Sequence, residues 1–417
     1  MDILTISPKP GMASYLEGSE SNIPSDLRVI RTYPGILHHI NFGILGRSRG
    51  QYSAHGSVLS RRNRLFRGIT FLRNCFRKIV FFFWRNVVCN LLIPDQFVDW
   101  WPIGTFAGIR LMKKDPYPCI ISSGLPHTDH LVAFILKLFW PKTFWVADYG
   151  DPWSFSRYPP RNKFIQLLHR FIERTLLKTV DCIIVTTEET RGGFLQHFSF
   201  LNATQVITIP QGCDTHMIAQ IPTDQRAQFT VGYIGRFDSI RDPLPFFRAL
   251  SILKDRNYVF RYLNVGVLQD YYAKAVEDLG LGDCVRLLGP RSHADALRIA
   301  KSCHVLLYWG NDSTYQLPSK IWEYLALEKP ILCVTRHPED IGARIVREFH
   351  RGIIVPCDPH RIAAAIRHLN RLWQTGTLDE HFDLSSMLEI DYRQRAHQLD
   401  RALHALSHHM EAPVRAD

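Results

Sequence analysis

Between Leu27 and Pro94 the sequence has no aspartate and no glutamate, although Arg and Lys are frequent there. That one stretch accounts for the whole positive excess of a chain with a net charge of +11. No window reaches about 18 uninterrupted apolar residues, which predicts no spanning helix. The nine cysteines form no CxxC pair and no Cys/His metal spacing. An odd, dispersed set of thiols argues against a disulfide framework and predicts reduced cysteines in the cytoplasm. The first residues, MDILTISPKPGM, lack a basic region followed by a long apolar run, so no signal peptide is expected. A GxGxxG dinucleotide fingerprint, a Walker P-loop and an HExxH zinc motif are also missing. No DxD occurs, which is the usual diphosphate–metal signature, so neither a cofactor nor an obligatory metal is expected. There is no low-complexity segment and no short repeat.

What is present is a long alternation of strand and helix patterns. At 417 residues and 46% hydrophobic content the chain can build two domains, each with its own core. In the first half, strands are predicted at 3–6, 119–122, 143–147, 182–185 and 206–210, with helices at 105–114, 130–138 and 163–177. Residues 91–101, LLIPDQFVDWW, read as a turn with aromatic anchors. After a linker at 221–228 the pattern restarts, with strands at 230–234, 260–265, 285–288, 305–308, 331–334 and 352–355. Helices are predicted at 244–254, 271–279, 295–301, from Pro318 onward and at 362–373, and the tail over about 392–406 reads as a helix. Such alternation with short connections is the pattern of a parallel, doubly wound α/β sheet. The expected organisation is a first Rossmann-like domain over residues 1–215, a second over 228–380 and a helical tail over 381–417, with a cleft between the domains.

Residues 61–93 are unlike the rest. Arg61, Arg62, Arg64, Arg67, Arg73, Arg77, Lys78 and Arg85 interleave with Phe66, Phe71, Phe76 and the run Phe81-Phe82-Phe83-Trp84. A helix here would carry a cationic face and an aromatic face, which suits the interface of an anionic membrane. The block is too apolar for a groove-reading helix, so no nucleic-acid partner is expected. A core helix with snorkelling arginines is the plainer alternative.

Candidate chemistry sits at the predicted carboxyl ends of strands, where open parallel sheets bind ligands. Gly235-Arg236 follows one strand, with Arg241 one turn further on, and arginine forks suit diphosphates. Gly289 follows another and permits close backbone approach, for example to a base. The stretch 317–332, LPSKIWEYLALEKPIL, is the third. There Leu317 precedes Pro318, which suits a helix's first turn, and Ser319, a possible cap. Lys320 and Glu323 are three apart on that helix, so they share a side. They fit either an i,i+3 ion pair or a site for phosphate and ribose hydroxyls. The first half offers His127, His130, Asp148 and Asp151 at strand ends, as catalytic or acceptor-binding groups or as ordinary turn chemistry.

These motifs resemble the family 4 glycosyltransferases, of the bacterial surface-polysaccharide type. VGYIGRFDSIRDP is similar to the family's strand–Gly-Arg motif, VRLLGPRSHADALRIAKSCHVLLY to its base-side segment and LPSKIWEYLALEKPIL to its donor-binding segment. IISSGLPHTDHLVAFILK and WVADYGDPWS resemble the SSPP…H and ADFRDPW segments, and LNATQVITIPQGCD the segment ending IPNGVD, with Gln211 in place of Asn. The resemblance implies the GT-B fold of two facing Rossmann-like domains, an acceptor domain followed by a donor domain. It implies retaining transfer of a sugar from a nucleotide-diphosphate sugar, as co-substrate, to a hydroxyl of a lipid-linked or glycan acceptor. By the same likeness Arg236 binds the diphosphate, Arg241 stands where the family has Lys, and Glu323 is the second Glu of E-x7-E, on the ribose. Lys320 faces phosphate, Leu287 and Gly289 meet the base through backbone, and His127, His130, Asp148 and Asp151 line the acceptor side. The first Glu of E-x7-E falls at Tyr315, so the donor-sugar contact is unassigned. The expected location is the cytoplasm, peripheral at the inner face of the plasma membrane. The alternatives are a catalytically silent membrane scaffold and a sugar-nucleotide epimerase of the same fold.

Overall fold

The computed structural model describes residues 1–7, 27–38, 92–156, 162–224, 226–256 and 258–411. The turn Pro10-Gly11-Met12 and nearly all of the basic aromatic stretch 61–93 lie outside the described residues. The chain divides into two compact units. One is Met1–Val185 with Arg191–Ile207, and the other is Thr186–Thr190 with Thr208–Asp417.

In the first unit, β1 (Asp2–Ile6) and β2 (Arg28–Thr32) pair in parallel as a two-stranded sheet. A second, four-stranded sheet follows the order β3 (Cys119–Gly124), β4 (Phe144–Tyr149), β5 (Cys182–Val185) and β6 (Val206–Thr208). The sequence placed 3–6 in the main α/β sheet; among the described residues β1 pairs with β2 alone. Helix α1 (Trp101–Lys114) begins four residues earlier than expected, inside what reads as a turn. Pro102 explains this, because proline in a first turn presets φ and removes a donor that has no partner there. Helix α2 (Thr128–Phe139) is started from a distance: Asp95 accepts from the Thr128 amide at 3.0 Å and from its hydroxyl at 2.8 Å. Helix α3 (Lys163–Leu177) is capped locally by Asn162, whose side chain accepts from the Phe164 amide at 2.8 Å. Helix α4 spans Glu188–His197. Trp145, Ile183, Val185, Phe194 and Phe198 form the centre of this unit's core.

The second unit carries six parallel strands: β7 (Thr230–Ile234), β8 (Arg261–Val265), β9 (Val285–Gly289), β10 (Val305–Trp309), β11 (Ile331–Thr335) and β12 (Gly352–Pro356). Their order is β12-β11-β10-β7-β8-β9. Counted from β7 this is 6-5-4-1-2-3, the doubly wound order, which reverses between β7 and β10. Every residue of β7 and of β10 is buried, as expected for strands covered on both faces. One face packs Phe229, Phe246, Phe247 and Tyr262 under α6 (Leu244–Lys254), and the other packs Leu306, Ile321, Leu325 and Ile345. Each such side chain contributes about 1.5–3 kcal/mol by leaving water.

The remaining helices of this unit are α5 (Thr215–Ala219), α7 (Asp270–Asp278), α8 (His293–Lys301), α9 (Lys320–Ala326), α10 (Ile341–Glu348), α11 (Pro359–Gln374) and α12 (Tyr392–Glu411). Helix α12 starts from a junction at Cys213: the Cys213 amide donates to Ile390 and the Tyr392 amide to Cys213, both at 3.0 Å. No described helix is long and apolar enough to cross a membrane.

Candidate functional site

A cavity of about 220 Å³ opens at the strand-order reversal of the second unit. Tyr233, Ile234 and Gly235 come from the end of β7, and Leu307, Tyr308 and Trp309 from β10. Arg241, Pro318, Ser319, Lys320 and Tyr324 complete the wall. The turns after β7, β8 and β9 are tied together at this edge. Gly235 donates its amide to Val265, and Gly266 donates to Gly289, both at 2.9 Å. Gly266 has φ +128°, and a Cβ there would lie 2.0 Å from the Gly235 carbonyl oxygen. Only glycine allows the two turns to close on one another.

The charges around the cavity are arranged unevenly. Arg241 lines it and reaches Asn311 Oδ1 at 3.5 Å. Arg236 is about half exposed and outside the lining, with Nε 3.1 Å from Asp238 Oδ2. Lys320 donates to both oxygens of Glu323, at 2.9 and 2.8 Å. His293 Nε2 lies 3.1 Å from Glu323 Oε1. Burial alone would raise the Glu323 carboxyl, but the His293 hydrogen bond and the Lys320 charge outweigh it and hold it below its ordinary value. The ion pair between Lys320 and Glu323 therefore forms, and the ammonium's third donor is left over for another acceptor.

Helix α9 starts differently from expectation. It begins at Lys320, so Pro318 lies before its first turn, and Ser319 makes no side-chain cap. The reason is geometric: Ile321 donates to Pro318 at 3.2 Å and Trp322 to Ser319 at 3.1 Å, a tight i to i+3 entry with Ser319 in helical φ/ψ. A cap hydroxyl needs an extended residue to fold back from. Leu317 packs against the core. Leu287 and Gly289 lie on β9, the edge strand, with β8 between them and β7. They do not line the cavity. Gly289 has φ +68° and open space where a Cβ would be.

In the first unit, the ends of β3 and β4 are neighbours, with Ser123 opposite Asp148. His127 and His130 are both buried. His127 stacks on Trp153 (5.1 Å between centroids) and His130 on Tyr149 (4.5 Å). His130 Nδ1 is 2.8 Å from the Ser122 hydroxyl, which also accepts from Trp145 Nε1 at 2.9 Å. His127 Nδ1 and His130 Nε2 both aim at Gly124, where a Cβ would lie 2.7 and 2.8 Å from them. Burial lowers both imidazoles, His130 to about 3, so each is neutral at pH 7. Asp148 is raised by burial and accepts from the Ser123 hydroxyl at 2.8 Å. Asp151 is half-buried in the turn after β4. Asp129, which the motifs did not single out, is raised to about 7 by burial and by the Asp95 charge.

No family model matches the chain, and no curated protein matches it. Solved structures do. Sucrose-phosphate synthase from Thermosynechococcus elongatus is 20% identical, with 74% of this chain and 78% of that chain covered and a TM-score of 0.56. Anabaena HepE in complex with UDP is 15% identical, with 73% and 82% covered and a TM-score of 0.57. A glycosyltransferase from Rickettsia africae is 13% identical, with 74% and 81% covered and a TM-score of 0.57.

The fold is GT-B.

Within this GT-B chain, the second Rossmann-like unit gathers Gly235, Arg241, Pro318, Ser319 and Lys320 on one cavity. Glu323 is joined to it through Lys320. The sequence reading missed Gly266, Tyr308, Tyr324, Asn311 and His293. Gly266 and Asn311 carried a usable signal, since YLNVG and LLYWGN are strands ending in glycine like YIG. His293 carried none, because only the fold brings α8 beside α9. Among the described residues no group of three or more His, Cys, Asp or Glu is arranged to hold a metal ion.

Proposed function

We propose that the chain is a retaining glycosyltransferase that moves a sugar from a nucleotide-diphosphate sugar to a hydroxyl of a lipid-linked or glycan acceptor. The observation that carries the reading is the cavity at the strand-order reversal, with Arg241 and Lys320 in its wall. Doubly wound sheets bind nucleotides at this position. Anabaena HepE, of the same fold, has been seen with UDP, and with UDP-glucose, which supports a nucleotide sugar here.

The chemistry follows from the leaving group. A departing nucleoside diphosphate gains negative charge, and fixed cations stabilise that charge without reorganising. Arg241 and Lys320 would serve this purpose at the cavity and Arg236 at its rim. Glu323, kept ionised by Lys320 and His293, would accept hydrogen bonds from the ribose. Leu287 and Gly289 would offer backbone to the base. Asp148 and Asp151, with the neutral His127 and His130 behind them, would meet the acceptor. No obligatory metal is part of this reading. The cytoplasmic leaflet of the plasma membrane is the proposed place of work.

Calorimetric titration with UDP and a panel of nucleotide sugars tests the assignment. Arg241→Ala and Lys320→Ala should each weaken binding by roughly 10- to 100-fold, the loss of one charge-assisted hydrogen bond. A wild-type chain that binds no nucleotide diphosphate would instead be a silent scaffold.

A further inference from the structure

We propose that the solvent face of α3 is a docking surface for a lipid bilayer with anionic headgroups. An ordinary surface helix turns polar residues outward. Helix α3 does not. Phe164, Leu167 and Phe171 are 70%, 66% and 67% exposed. Their spacing of three and four residues aligns them in one stripe along the helix. Lys163, Arg170, Arg174 and Lys178 share that face, all exposed. At 100° per residue these seven side chains fall within about 120° of arc. The only acid of the helix, Glu173, points the other way and is buried. The patch continues past the helix, where Arg174 lies 5.0 Å over the Phe200 ring, itself exposed.

Charge selects the occupant. A large apolar group set among cations and no acids matches the boundary between acyl chains and anionic headgroups. A second copy of the chain would set the same cations against one another. The segment 61–93 contains no acid to neutralise them. A nucleic acid would use the cations and leave three bulky apolar side chains without a role. The inference stands on the first unit and does not rest on the donor-site reading.

Flotation of the full chain with phosphatidylcholine vesicles, with and without phosphatidylglycerol, tests it. The chain should bind the anionic vesicles and not the neutral ones. Phe164→Ser, Leu167→Ser and Phe171→Ser combined should weaken that binding on the order of ten-fold or more, through lost apolar burial. Arg170→Gln and Arg174→Gln should each cost roughly five-fold. Nucleotide titration should be unchanged in all of them, and the thermal midpoint should be unchanged in the triple serine variant, because Phe164, Leu167 and Phe171 are already largely in water. Wild-type binding by the triple serine variant would overturn the proposal, as would equal binding to neutral vesicles or none to either. A triple variant that turns a dimer into a monomer with lipid binding intact would show a self-association face instead, and would also overturn it.

Discussion

Lys320 Nζ lies within 2.9 Å of both carboxylate oxygens of Glu323, one helical turn further along α9. His293 closes the same carboxylate from α8 at 3.1 Å. The cluster joins a cation on the cavity wall to an acid beside it, and each residue orients the other. Removing Glu323 therefore has two effects: a ribose acceptor is lost, and Lys320 is freed to take other rotamers. We expect Glu323→Ala and Arg236→Ala each to lower turnover by about 100-fold or more, in line with loss of a charged contact in the transition state. Steady-state rates with the best nucleotide sugar decide this, and near-wild-type rates for both variants would sink the donor-site assignment.

The same carboxylate predicts a pH dependence of stability. Glu323 in the folded chain titrates below its ordinary 4.5. Above 4.5 it is ionised in both states and its favourable contacts are fully present; they are lost as pH falls through the lower, folded value. Glu323→Gln should therefore melt below wild type at pH 7, and the gap should narrow as pH drops beneath 4.5. A gap that widens in acid would contradict the assigned ion pair.

Gly266 offers a backbone test. Alanine there would bring a Cβ to 2.0 Å from the Gly235 oxygen at φ +128°, so the turns after β7 and β8 must part. We expect Gly266→Ala to destabilise the chain by at least about 2 kcal/mol and to weaken nucleotide binding with it. Gly282→Ala is the control, since nothing lies within 4 Å of its would-be Cβ. Urea midpoints of the two variants should separate clearly.

How much of this was readable in advance depends on the range of the interaction that set it. Strands such as Val305–Trp309 are short apolar runs, so their existence and type followed from local pattern. The neighbour relation of β7 and β10 did not, because strands far apart in sequence are ordered by packing alone. Two helices were invisible for local reasons. Glu188–His197 carries a Gly192-Gly193 pair and no apolar stripe until Phe194. Ile341–Glu348 has Gly342 in its first turn, where the Tyr308 hydroxyl leaves no room for a Cβ. The cap of α2 comes from Asp95, 33 residues upstream, a distance no local motif spans. The histidines were found by their position after strands, but their burial was not, since it depends on Trp153 and Tyr149 folding over them.

Glu173 makes the last case, away from the donor site. It is fully buried, accepts from the Ser154 amide at 2.9 Å, and burial raises it from 4.5 to about 7. The folded chain thus keeps this proton up to about pH 7, while the unfolded chain gives it up near 4.5. Unfolding between those values releases a proton, so rising pH favours the unfolded chain and stability falls across that window, then levels off. The loss amounts to roughly 3 kcal/mol. Glu173→Gln has the same shape and retains an oxygen for the Ser154 amide, but it has no proton to lose. We expect the variant to match wild type near pH 5 and to melt higher at pH 8, with the difference growing between. Thermal melts across that range measure it directly. A variant that is less stable than wild type at pH 8 would mean that Glu173 is held as a charged partner of Arg170, whose charge opposes the effect of burial.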